Sequence, residues 1–380
     1  MTTWRDGTAG ARPASQIEGA GTKAPYVLAS DFGVSSAASA ATNDAGFAAA
    51  LALGRPVAMP QGTLQVSAPI NARGDGTCLF GGGLGRTYIE QQTSNVAVLK
   101  VGGKGCRYNG FGLGYASVQT SAQTSANAIE SLNLWMSQIS NMVIVNCGRG
   151  LWCPTAEGSN YFFSNFCFNW DVYLPSISGI YIKPTSTGNT PTKFTNVHIV
   201  ADLGGGTVGT LSEPAVYLES SNVVFDVLNV EWLRCTNTSG LGLGVIKVRD
   251  SIATFNSLYM EGAQSAIDGG AFLECLGPTG GSNVVVNGWN VNNALVVDAP
   301  VSTHAYLKIN DANTKVTING FVDGSNVTTG TFFTFLNGAS AAGQQVRLTD
   351  FGTPDTDGWN QMTGSPPATI IQQPTYANVT

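Results

Sequence analysis

The sequence predicts an all-β fold: a right-handed parallel β-helix, a single-stranded solenoid of about ten coils of roughly thirty residues each, with an N-terminal capping helix. Three observations predict it. A four-residue motif, apolar then polar then small or Asn then apolar, recurs along most of the chain. Apolar and polar residues alternate on both sides of that motif, which is the period of a strand. The composition is that of a β-rich chain with many tight turns, with 47 Gly among 380 residues and only 11% charged residues.

The motif reads Tyr108-Asn109-Gly110-Phe111, Ile139-Ser140-Asn141-Met142, Phe163-Ser164-Asn165-Phe166 and Phe194-Thr195-Asn196-Val197. It continues as Phe225-Asp226-Val227-Leu228, Phe255-Asn256-Ser257-Leu258, Val286-Asn287-Gly288-Trp289, Ile318-Asn319-Gly320-Phe321 and Leu348-Thr349-Asp350-Phe351. The first positions are 31, 24, 31, 31, 30, 31, 32 and 30 residues apart, and a weaker copy sits at Phe80-Gly81-Gly82-Gly83. The Asn, Ser, Thr and Gly at the centre tolerate the dihedrals of a sharp bend. Stacked bends would set Asn side chains in a ladder, each bonded to its neighbour. A period of about thirty is too short for a propeller blade, and the Leu skeleton of a leucine-rich repeat is missing.

A solenoid must close its exposed ends. Asn43 to Leu53 predicts a short amphipathic helix opened by Asn43 or Asp44, and Arg55 to Val66 predicts strand, turn and strand. The expected organisation is an N-terminal arm over 1–25, a β-helix domain over 26–351 whose cap spans 26–77, and an irregular tail over 352–380. Pro354, Pro366, Pro367 and Pro374 are the reason for expecting that tail to leave the solenoid.

A net charge of −6 with scattered Lys and Arg argues against nucleic-acid binding, which needs a basic patch. Seven Cys, an odd number with no CxxC spacing, read as small buried residues in a reducing compartment rather than as a disulfide framework. With two His in the chain, no metal site is expected, and no cofactor. No apolar run is long enough to span a membrane, so no membrane insertion is expected, and the N-terminus carries no signal-peptide core.

Ser30-Asp31-Phe32-Gly33-Val34, Asn43-Asp44, Phe47 to Leu51 and Val57-Ala58-Met59-Pro60-Gln61-Gly62-Thr63-Leu64-Gln65-Val66 resemble the opening segment of pectin-lyase-like proteins, and Gly81 to Gly85 resembles their next, Gly-rich strand. Ser35-Ser36-Ala37-Ala38 replaces that family's Asp-rich turn. Within the fold, the long coils and low charge look most like bacteriophage tailspikes and polysaccharide depolymerases. The resemblance implies a homotrimer on the virion tail, made in the host cytoplasm and joined to other tail proteins through its N-terminus. It also implies binding, and usually cleavage, of bacterial surface polysaccharide: capsule, exopolysaccharide or O-antigen.

Inward positions of a β-helix pack, so chemistry must use outward ones. Counting from the motif, one outward column runs Val145, Asn169, Val200, Glu231, Glu261, Asn292 and the one before it Val143, Cys167, His198, Asn229, Tyr259, Asn290. Asp171 and Asp202 are expected to stack one column further along. Glu231, Glu261, Asp202 and Asp171 are therefore the catalytic candidates, and Trp170, Trp232, Tyr259, Asn229 and Asn292 the substrate-binding ones. Paired carboxylates beside aromatic rings are what a glycosidase needs. Retaining enzymes hold the carboxyls about 5–5.5 Å apart and inverting ones about 6.5–9.5 Å. The reading leans to an inverting endo-glycosidase with Glu261 as acid and Asp202 or Glu231 as base. The competing readings are a polysaccharide lyase, for which Arg234, Lys247 and Arg249 are the available cations, and a non-enzymatic receptor-binding spike with solvated carboxylates. His198 reads as a surface residue rather than a ligand. Val143, Val145 and Cys167 form an expected apolar exterior strip, covered by a trimer contact or a loop.

Overall fold

The computed structural model describes residues 25–372 except 156–159, 186–189, 203–207, 237–243, 266–269, 293–304, 312, 324–330, 336–345, 353–361 and 364–369. Most of the expected N-terminal arm therefore lies outside the described residues.

The chain is a parallel β-helix. One wall is a continuous ladder of parallel strands in chain order, from Ile70–Arg73 through Leu99–Lys104, Asn127–Trp135, Arg149–Cys153 and Ser178–Ile182. It continues through Val216–Glu219, Gly244–Arg249 and Ala271–Leu276 to Ala305–Ile309. Thr331–Phe335 and Met362–Thr363 extend the ladder further. The solenoid has about 8 turns, where about ten coils were expected.

The motif lies on a second, bent wall. In Arg107–Tyr115, Gln138–Val145, Phe166–Tyr173 and Thr192–Val200 one strand runs through the bend. In the next coils it splits into pairs, Asn222–Phe225 with Leu228–Glu231 and Ile252–Phe255 with Leu258–Glu261. The unbroken strands hold Gly110, Asn141, Asn169 and Asn196 at positive φ, a region that Gly and Asn enter at least cost. The expected Asn ladder is present. Asn141, Asn169 and Asn196 each donate to the Asn one coil before, at 2.8, 2.9 and 3.2 Å, starting from Asn109. A second run joins Asn256 to Asp226, Asn287 to Asn256 and Asn319 to Asn287 at 3.0, 2.9 and 2.9 Å. Inside the helix Phe194, Phe225 and Phe255 stack, with centroids 4.9 and 5.4 Å apart.

One copy of the motif is corrected. Ile139 pairs with Cys167, and Cys167 with Phe194, so the true copy is Cys167-Phe168-Asn169-Trp170, spaced 28 and 27 residues from its neighbours. Phe166, taken as inward, is exposed, and Cys167, taken as outward, is buried. The expected strip of Val143, Val145 and Cys167 is therefore not continuous. Trp170 moves with the register: it is a core residue at 1% exposure whose indole N–H donates to the Ile139 carbonyl at 3.0 Å.

The capping helix is Ala40–Leu51 and starts earlier than expected, because Ser39 is the N-cap and accepts from the Thr42 amide at 3.2 Å. Asn43 and Asp44 instead tie the helix to the first coil. Asn43 is buried, accepts from the Ser35 amide and donates to the Gln65 carbonyl. Asp44 accepts from the amides of Ser67 and Ala68 and from the Ser67 hydroxyl. At the other end, Ile370–Gln372 pairs in parallel with Val346–Leu348. The solenoid thus continues past residue 351, where an irregular tail was expected to leave it. Among the described residues no helix is long and apolar enough to cross a membrane.

Candidate active site on the outer face of the bent wall

Phe166–Tyr173, Thr192–Val200, Leu228–Glu231, Leu258–Glu261 and Trp289–Asn292 lie side by side in parallel register. Trp170, Val197, Leu228, Leu258 and Trp289 point inward and are buried. Strand alternation then turns two columns outward. One runs Asp171, His198, Asn229, Tyr259, Asn290; the other runs Tyr173, Val200, Glu231, Glu261, Asn292. Glu231 and Glu261 are register partners, so their backbones are about 4.8 Å apart.

The two glutamates have unlike partners. The Tyr259 hydroxyl donates to Glu261 Oε2 at 2.7 Å, and Asn292 Nδ2 lies 3.5 Å from the same hydroxyl. Glu231 Oε2 lies 3.2 Å from His198 Nε2, and His198 Nδ1 lies 3.6 Å from Asp171 Oδ1. The Tyr173 ring meets the imidazole edge-on at 6.0 Å. The contact with Asp171, helped by the charge of Glu231, raises the His198 pKa against the opposing effect of burial. Burial, and then the charges of Asp171 and Glu231, raise Tyr173. At Tyr259 the contact with Asn292 acts downward, but the bond to Glu261, burial and the two glutamate charges outweigh it and raise the hydroxyl. Among the described residues no group of three His, Cys, Asp or Glu side chains is arranged to hold a metal ion.

Trp232 follows Glu231 at a corner of the coil, with φ of 51°, and Gly262 follows Glu261 at the equivalent corner with φ of 58°. A bulky residue in the left-handed region is an outlier that surrounding structure must enforce, and such positions concentrate at functional sites. The half-buried indole packs on Gly262.

Of the nine expected site residues, Glu231, Glu261, Tyr259, Asn229 and Asn292 share this face, and Trp232 sits at its edge. Asp171 is on it too, but beside His198 rather than stacked with Asp202. Asp202 lies two residues beyond the end of its strand Thr192–Val200 and bridges antiparallel to Val208. Trp170 is inside the helix. His198 and Tyr173 were not among the expected residues; the slipped copy at 163–166 kept Asp171 and Tyr173 out of the columns that hold His198 and Glu231. Of the cations considered for a lyase, Lys247 and Arg249 lie in a different wall, on Gly244–Arg249, near Glu274 at 3.9 Å and Glu219 at 3.8 Å. Burial lowers the Lys247 pKa, with Glu274 acting against it.

Fold and site together define a parallel β-helix with a row of acidic, imidazole and phenol groups along one outer face. Known structures of this shape include phage tailspikes. The enzymatically active domain of tailspike protein 2 of bacteriophage CBA120 superposes with a TM-score of 0.60 at 16% identity, over 86% of this chain and 47% of that one. The gp42 tailspike of Acinetobacter phage vb_AbaP_AS12 gives 0.55 at 12% identity, over 88% and 59%. At these identities the likeness is one of fold, and this chain spans about half the length of those tailspikes. No protein-family model and no curated protein sequence matches the chain.

Proposed function

We propose that the chain is the polysaccharide-binding and cleaving part of a phage tailspike, acting on bacterial surface polysaccharide as an endo-glycosidase through Glu231 and Glu261. The observation that carries this reading is the pair itself: two carboxylates in register on adjacent coils, one held by a phenol and one beside an imidazole. The tailspike fold of its structural likenesses, one of them an enzymatically active domain, supports it.

Geometry favours a division of roles. A separation of one coil suits the short gap of a retaining enzyme. The longer, inverting pairing of Asp202 with Glu261 loses its support because Asp202 leaves the row. A phenol can donate to a carboxylate or accept from a carboxylic acid, so Tyr259 fits Glu261 in both states that a general acid and base passes through. A ring N–H only donates, so His198 fits Glu231 as the carboxylate that attacks the sugar. Glu261 then protonates the leaving oxygen and, in the second step, takes a proton from the water that releases the sugar. Trp232 supplies an aromatic edge for a sugar ring.

A hydrolase is favoured over a lyase by charge. A lyase must neutralise a uronate carboxylate beside its base. The chain carries a net charge of −6 and so attracts an acidic polymer poorly, and of the three cations considered only Arg234, on Leu233–Cys235 just after Trp232, lies outside the Gly244–Arg249 strand. The proposed assembly is a homotrimer joined to other tail proteins through the N-terminal segment, and its mass in solution tests that part.

The test is incubation with surface polysaccharides from a bacterial panel. New reducing ends without ultraviolet absorbance of an unsaturated product support the hydrolase. Unsaturated product would establish a lyase, and saturable binding with no new ends would establish a receptor-binding spike. Proton NMR of the first product reads the anomer, with retention expected.

A further inference from the structure

We infer that His198 is a positioning residue for the reaction just proposed: it fixes Glu231 for attack and is itself held by Asp171. The inference rests on that reading and deepens it. The three side chains come from three successive coils. Asp171 and His198 are register partners, and Glu231 lies one coil on and one column across, so the imidazole spans the gap between two carboxylates. Nδ1 faces Asp171 at 3.6 Å and Nε2 faces Glu231 at 3.2 Å. Carboxylates only accept, so only a ring with N–H on both nitrogens satisfies both sides at once.

Nε2 is enclosed by protein, yet it makes no aligned hydrogen bond despite its distance to Glu231. A turn of the Glu231 carboxylate would align it, and bonds of this kind tighten when substrate binds. The titratable groups facing the imidazole are Asp171 and Tyr173 from the coil before and Glu231 from the coil after. Both carboxylates favour the charged ring, which agrees with the upward direction of the His198 pKa. When His198 loses its second proton at higher pH, it can donate to only one carboxylate, and Glu231 loses its fixed orientation. Activity should then fall on the alkaline side with the titration of a residue that need not touch the sugar.

Two measurements test this on the full chain. The first is NMR titration of labelled histidine, with the His198 signal identified by its loss in His198→Gln. Glu231→Gln and Asp171→Asn should each lower the His198 pKa, and an unchanged value in both variants overturns the inference, whatever the protein cleaves. The second is the pH profile of polysaccharide cleavage. His198→Gln should lower kcat about tenfold or more, as loss of a hydrogen bond to a charged group does, leave KM within about twofold, and abolish the alkaline limb. Asp171→Asn should move that limb to lower pH. A His198→Gln enzyme with the wild-type limb overturns the positioning role while leaving the hydrolase reading intact. Coupled titration with no cleavage by wild type overturns the hydrolase reading, and the positioning role of His198 with it.

Discussion

The indole of Trp232 rests on Gly262, one coil further along, so closely that a Cβ at 262 would come within 2.8 Å of Trp232 Cε3. Trp232 and Gly262 occupy the same left-handed corner immediately after the two glutamates. Gly262→Ala should therefore cost about 1–2 kcal/mol for the left-handed backbone alone. It should also displace the indole. Thermal melts together with tryptophan fluorescence and glycan affinity check this: a stable variant with unchanged affinity would remove Trp232 from the sugar site.

The Tyr259 hydroxyl is expected to matter for turnover more than for binding. Tyr259→Phe removes the donor that meets Glu261 at 2.7 Å. A hydrogen bond to a charged group is worth roughly 1.5–3 kcal/mol, so kcat should fall about tenfold or more. Steady-state kinetics on the cleaved glycan read this, and a loss confined to KM would speak against the role given to Glu261.

Trp170 should behave as a core residue. Trp170→Ala is expected to cost about 3–5 kcal/mol through lost packing. The milder Trp170→Phe leaves the Ile139 carbonyl without its donor, at about 1–3 kcal/mol. Chemical denaturation measures both. A Trp170→Phe protein that folds should bind glycan normally, as a residue at 1% exposure offers no ring face to a sugar.

Asp226 makes the bent wall sensitive to acid. Lys193, first, then Asn256 and Thr195 hold its pKa below the ordinary value of 3.8, against slight burial. A carboxylate lowered in this way adds stability that is fully present above its unfolded pKa and is lost as pH falls through the folded one. The wild-type melting temperature should drop below about pH 3.8 more steeply than that of Asp226→Asn, and parallel curves would refute the assignment.

The fold was legible because one chemical pattern repeats wherever the wall bends. Phe194, Phe225 and Phe255 stack inside while Asn256 and Asn287 ladder outside, and both follow from the spacing alone. The failure at Phe163-Ser164-Asn165-Phe166 has a physical cause. That string has the right letters, but an exposed Phe166 stands in front of Cys167-Phe168-Asn169-Trp170, and two shortened coils shift the phase. The spacing of 24 was the signal, since 28 and 27 restore a near-regular period. Once the register is right, Asp171 falls beside His198 and Tyr173 falls into the column of Glu231. Asp202 could not be located by counting, because its strand ends at Val200 and Asp202 bridges antiparallel to Val208 instead, and a column rule holds only while the strand continues.

The most direct test of the account is cleavage of the recognised polysaccharide by wild type, Glu231→Gln and Glu261→Gln, with glycan binding measured alongside. Each variant should bind and lose about a hundredfold or more of its rate, Glu261→Gln through loss of the general acid and base, usually worth about that much, and Glu231→Gln through loss of the attacking carboxylate. Wild-type rates in both variants would contradict the assignment of the acidic row as the active site.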